Sequence, residues 1–86
     1  MNPHDVIQYP VMTEVASRIL ETENKLVFVV DKRATKADVK RAVEELYEVV
    51  VSGVNMVVTS KGQKKAFVTL HPNYKAVDVA IKLGIL

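Results

Sequence analysis

The run Leu26-Val27-Phe28-Val29-Val30, closed by Lys25 before it and Asp31 after it, limits more than any other feature what this chain can become. It is continuously apolar and rich in β-branched residues. It lacks the length of a helix and the polar alternation of a half-wet strand, so it predicts a central strand covered on both faces. Such a strand needs neighbours in a sheet and material packed against it. In a chain of 86 residues that material comes from one modest core, because a domain of this size buries only about 60–65% of its unfolded surface. A single domain over residues 1–86 is therefore expected.

The flanking segments supply the rest of the layers. Pro3 and Pro10 predict an extended N-terminal segment over residues 1–12, with Val6-Ile7-Gln8-Tyr9 as a short edge strand. Thr13 is placed to cap a first helix whose apolar stripe is Val15, Ala16, Ile19 and Leu20, closed by Asn24. Thr35, with Asp38 three residues on, opens a second helix in which Val39, Ala42, Val43, Leu46 and Tyr47 recur at i, i+3, i+4, i+7, i+8. Residues 49–59 read as a strand with Gly53 as a bulge or bend, and a basic loop over residues 60–64 turns it into a second strand, Lys65 to His71. Pro72 ends that strand, Asn73 is placed to cap, and Ala76, Val77, Ala80 and Ile81 form a last helix closed by Gly84. The order (β)-α-β-α-β-β-α predicts an α+β fold with an antiparallel sheet and helices packed on it.

Charge adds a second constraint. Twelve Lys+Arg against ten Asp+Glu leave a net charge of +2, too small to name a partner. Its distribution says more. Residues 1–24 carry Asp5, Glu14, Glu21 and Glu23 against Arg18, and residues 25–41 carry Lys25, Lys32, Arg33, Lys36, Lys40 and Arg41 against Asp31 and Asp38. Glu44, Glu45 and Glu48 then reverse the sign, and Lys61, Lys64 and Lys65 reverse it again. Two basic clusters make a footprint for an anionic polymer if they meet in space.

Each cluster has two readings. Lys36 in a first helical turn opposes the helix dipole, and Lys36 with Lys40 is a like-charged i,i+4 pair, so both placements cost a few tenths of a kcal/mol unless an anion sits there. The other reading is a solvated face with Lys40–Glu44 and Arg41–Glu45 pairs. In the loop, Lys61, Lys64 and Lys65 around Gly62 can follow a phosphate backbone, with Gln63 offering an amide to a base or ribose. Lysines also protect sheet edges from aggregation. Phe28 reads as core. Phe67 alternates with Lys65, Thr69 and His71 and stands between packing and exposure. The aromatics do not match the alternating pattern of sheet-based RNA modules, so recognition is expected to rest on shape and phosphates more than on stacking.

Other chemistry finds little support. With no cysteine, disulfide scaffolds, thiolate nucleophiles and Cys-ligated metals are excluded. His4 and His71 have no partner at metal spacing, and no phosphate loop or nucleophile elbow occurs, so no cofactor and no metal are expected. No apolar run reaches the roughly 20 residues of a membrane span, so no membrane insertion is expected and the default compartment is cytoplasmic. Two alternatives remain: a stand-alone protein-interaction module, and a small acyl or phosphate esterase with Arg33 as clamp and Asn55 positioning water.

Three blocks in order resemble the universal large-subunit ribosomal protein twenty-three family. They are Pro10-Val11-Met12-Thr13-Glu14-Val15-Ala16; Ala34 to Glu44 with Leu46-Tyr47 and Val49; and Val54-Asn55 with Lys64-Lys65-Ala66-Phe67-Val68. The tail helix and short hairpin are similar to the archaeal-type branch. Val15, Met56 and Phe67 depart from the family's usual Lys, Thr and Tyr. The resemblance implies a non-enzymatic ribosomal protein that binds large-subunit rRNA beside the peptide exit tunnel, next to other ribosomal proteins. Carried over by position, its rRNA-facing residues would be Lys36, Lys40, Arg41, Asn55, Lys64 and Lys65, and the two basic clusters add Lys32, Arg33, Lys61 and Gln63 as rRNA-binding candidates. Glu14, with Glu21 on the same helix, would belong to a surface where the signal recognition particle or a chaperone docks.

Overall fold

The computed structural model describes residues 1–85. Eight elements follow one another: α1 (Pro3–Val6), β1 (Ile7–Pro10), α2 (Glu14–Thr22), β2 (Lys25–Val30), α3 (Lys36–Tyr47), β3 (Val51–Val58), β4 (Lys64–Leu70) and α4 (Ala76–Lys82). The four strands form one antiparallel sheet in the order β1-β2-β4-β3. This is the expected α+β architecture, with β2 in the interior of the sheet.

Strand periodicity divides the sheet into two unlike faces. Leu26, Phe28 and Val30 of β2 pair with Val68, Ala66 and Lys64 of β4. Together with Val51, Ala66, Val68 and Leu70 they join Val6, Leu20, Val39, Ala42, Val43, Ala76, Val79 and Ala80 in one buried cluster. All four helices contribute residues to that cluster. Tyr47 of α3 stacks on Phe28 with ring centroids 5.9 Å apart and planes 8° from parallel. The alternate residues, Val27 and Val29, lie on the opposite face of the sheet and are equally buried but stand outside the cluster, as does Ala16 of α2. Both faces of β2 are buried, as expected, but only the Leu26, Phe28 and Val30 face belongs to the main cluster.

Capping follows the sequence closely for two helices. The Thr13 hydroxyl accepts from Ala16 N at the start of α2, and Thr35 and Asp38 bond reciprocally at the start of α3. Elsewhere the chain departs from expectation. The N-terminal segment is not extended throughout: Asn2 Oδ1 accepts from His4 N, Pro3 supplies a φ suited to a first turn, and α1 carries Val6 into the core. Residues 49 and 50 precede β3, because α3 ends with Glu48 at φ 54° and ψ 48° and the strand begins only at Val51. The bulge falls where Gly53 suggested, between Val51 and Gly53. Lys64 belongs to β4, leaving residues 59–63 as the loop, with Gly62 at φ 83°.

Asn73 does not cap α4. That task falls to Asn24, 52 residues away in sequence, whose Oδ1 accepts from Ala76 N at 2.7 Å while Nδ2 donates to Leu70 O and Tyr74 O. Asn24 can do this because it sits just beyond α2 at φ 56°, a conformation asparagine tolerates better than most residues. One side chain thereby ties the end of α2, the end of β4 and the start of α4.

Candidate nucleic-acid interface

The antiparallel register converts alternating charge blocks into two poles. Val30 faces Lys64 at one end of the β2/β4 pair and Lys25 faces Thr69 at the other. The β2–α3 loop with Lys32 and Arg33, the first turn of α3 with Lys36, and the hairpin with Lys61, Lys64 and Lys65 all gather at the first end. Glu21 and Glu23 end α2 beside the start of β2, and Glu44, Glu45 and Glu48 lie toward the end of α3, with Glu44 Oε2 accepting from Val51 N where β3 begins.

The two basic clusters meet. Lys64 Nζ donates to Ala34 O at 2.8 Å and to Lys32 O at 3.3 Å. A Cβ built on Gly62 would lie 3.9 Å from Lys32 Nζ, so the loop tip passes close to that ammonium. Lys64 therefore ties the hairpin to the β2–α3 loop, and two of its donor positions are already occupied. Among the described residues, Lys32, Lys36, Lys40, Arg41, Lys61 and Lys65 make no ion pair within 4.0 Å; the pairs present are Lys25–Glu23 and Arg33–Asp31. The anticipated Lys40–Glu44 and Arg41–Glu45 pairs do not form, partly because Glu44 bonds to Val51 instead.

Arg33 is less available than its exposure suggests. Its Nε and Nη2 reach Asp31 Oδ1 and Oδ2 at 3.2 and 3.4 Å. The same side-chain bond is the main reason the Asp31 carboxyl titrates below the usual aspartate range and the Arg33 guanidinium above its own. The start of α3 is likewise partly filled: Asp38 accepts from Thr35 N, and that backbone bond is the largest cause of its lowered pKa. A carboxylate thus occupies part of the seat that an anion would take.

Position on α3 separates the remaining bases. Lys40 lies one turn before Glu44, on the flank that Glu44 turns toward β3, whereas Arg41 is rotated about 100° from it, on the flank of Asp38 and Glu45. Asn55 and Lys65 lie on the face opposite the main cluster, paired with Phe67 and Val57 respectively. Gln63 Nε2 donates to Tyr9 Oη at 2.8 Å, which draws Tyr9 into this region. Sequence reading missed Tyr9, since nothing in its local pattern shows that it faces the hairpin.

Glu14 and Glu21 are both exposed on α2, a spacing of two turns that puts them on one flank with Arg18 between. The esterase arrangement is not assembled: Arg33 is paired at the end of β2, and Asn55 is on the open face of the outermost strand. His4 is in α1, and His71 follows β4, where its Nδ1 accepts from Asn73 N.

The family model described as Ribosomal protein L23 matches residues 5–84. Two curated relatives are each named large ribosomal subunit protein uL23. The one from Methanococcus aeolicus is 49% identical over 85 residues, and the one from Methanococcus maripaludis 46% over 85 residues. Each alignment covers 99% of this chain and 99% of the relative.

Proposed function

This chain belongs to the ribosomal protein L23 family, in its archaeal-type branch, and from that premise we propose that it is a structural component of the large ribosomal subunit, held there by rRNA at its basic pole. It has no catalytic step of its own and works in the cytoplasm, on the ribosome. No helix among the described residues is long and apolar enough to cross a membrane.

The observation that carries the rRNA reading is the junction made by Lys64, which brings Lys32, Lys36, Lys61 and Lys65 to one end of the sheet. Phosphates neutralised there release counterions, giving an affinity that falls with salt. Lys40 extends this pole along α3. Arg33 contributes by exchanging Asp31 for phosphate, and Arg41 by contacts on the other flank. Neighbouring ribosomal proteins at the tunnel exit complete the setting, and Glu14 with Glu21 offers an acidic surface to the signal recognition particle or a chaperone.

Binding to a large-subunit rRNA fragment, measured as a function of salt, tests the reading. Lys36→Ala with Lys40→Ala lowers the slope of log affinity against log salt by roughly one unit per lost phosphate contact. An unchanged slope makes those lysines a solvated face. Sedimentation of the protein with the large subunit in high salt checks incorporation. Glu14→Ala reduces factor recruitment while incorporation persists; loss of incorporation with docking intact would reverse the assignment.

A further inference from the structure

We infer that the face of the sheet opposite the main core cluster is a base-stacking platform for unpaired rRNA nucleotides, with Tyr9 and Phe67 as its rings and Lys65 and Asn55 as its polar partners. The inference rests on the rRNA-binding reading above and adds to it a chemistry that the basic pole lacks.

The register lays out the face. One row crosses it as Tyr9, Val29, Lys65 and Val57, and the next as Val27, Phe67 and Asn55. Lys25, Thr69 and Gly53 follow. No acidic residue stands in these rows, which suits a polyanion. Val29 and Val27 are only 3% and 6% exposed although they stand outside the main cluster. Their neighbours across the strands are Tyr9 and Lys65 at Val29, and Val11 and Phe67 at Val27.

Tyr9 remains 47% exposed there, as expected of a ring with one surface down on the sheet and the other outward. Its hydroxyl accepts from Gln63 Nε2 at 2.8 Å, across β2, to the loop before β4. Two strand spacings, roughly 9.5 Å, separate β1 from β4. That bond closes only if the Tyr9 side chain runs along the sheet instead of standing off it. The ring is thus anchored before any ligand arrives, and less side-chain entropy is lost on binding.

Phe67 is half-buried, with Asn55 directly opposite it on β3. Among the described residues the Asn55 amide has no hydrogen-bond partner and Lys65 no ion pair, which leaves one free for a base edge and the other for a phosphate. Tyr9 and Phe67 are two strands and one row apart, about 12 Å, much more than the spacing of neighbouring stacked bases. Each ring therefore takes its own splayed base, as in a folded loop or bulge.

The test uses the full chain and a large-subunit rRNA fragment. Tyr9→Leu and Phe67→Leu each lower affinity about 10- to 100-fold, the range expected for loss of one stacked base, and leave the salt slope unchanged. Phe67→Tyr, which keeps the ring, binds as the parent does. Circular dichroism and thermal unfolding confirm that each variant is folded. Leucine variants that bind as tightly as the parent, while Lys36→Ala with Lys40→Ala still lowers the slope, overturn the platform and leave the rRNA reading intact. Normal rRNA affinity with failed incorporation into the subunit also overturns it, because the face would then hold a protein. If the parent itself shows no preference for large-subunit rRNA over tRNA at matched ionic strength, the underlying reading fails as well.

Discussion

The two faces of β2 bury their residues to nearly the same degree by different means. Phe28 is sealed by helices, and Tyr47 stacks directly on it. Val29, its neighbour in sequence, stands outside that cluster, between Tyr9 and Lys65 on the neighbouring strands. Low exposure alone does not distinguish a core position from the floor of a binding surface; what lies above the residue does. A helical cover is part of the fold's cooperative unit, whereas a ring with one surface in water is free to meet something else.

This contrast is testable by stability, and the largest effect belongs to the helical side. Phe28→Ala should cost about 3–5 kcal/mol in denaturant unfolding, much of the stability of a small domain. If it costs no more than Phe67→Leu, the two faces are not different in kind. Next comes the tie that holds α4 in the helical layer. Asn24→Ala removes one acceptor and two donor bonds and should cost about 1–3 kcal/mol; Asn24→Gly keeps the backbone conformation but not the bonds and should recover only part of it.

On the open side, Val29→Ala removes two methyl groups and should cost about 1.5 kcal/mol. A loss as large as that of Phe28→Ala would mean the face has hidden cover. Thr35→Ala, at the rim of the basic pole, should cost about 1 kcal/mol through lost capping.

The smallest effect is in acid. Asp31 and Asp38 titrate below the usual aspartate range because of bonds from Arg33 and Thr35. Folded pKa values below the unfolded ones mean stability that is present above about pH 4 and lost as pH falls through the folded values. Asp38→Asn should flatten that acid limb in pH-dependent unfolding by lowering stability in the neutral region, leaving the value below the folded pKa little changed.

Much of this was legible in the chain itself. Thr13 and Thr35 mark their helices because a hydroxyl bonding a first-turn amide is a contact within three residues. The spacing of Val39, Ala42 and Val43 marks a buried stripe for the same local reason, and Gly53 marks a bulge. Asn73 failed as a cap because the amide at Ala76 found its acceptor in Asn24, a partner that no local pattern reveals. The turn at Pro3–Val6 was read as extended because proline permits both conformations, and the choice is made by Asn2 and by burial of Val6.

The sequence by itself determined the four strands and the three helices after the first, that they form an α+β layer, and which side chains are charged, since period, capping and composition act over a few residues. Tertiary structure alone decided that the alternating charge blocks become two poles, because only the antiparallel register reverses each successive segment. It also decided that Arg33 is spent on Asp31 and that Glu44 bonds Val51 instead of pairing with Lys40. Tyr9, a residue in a short edge strand, became part of a surface because β1 pairs with β2 and its hydroxyl reaches Gln63, a contact between positions 54 residues apart.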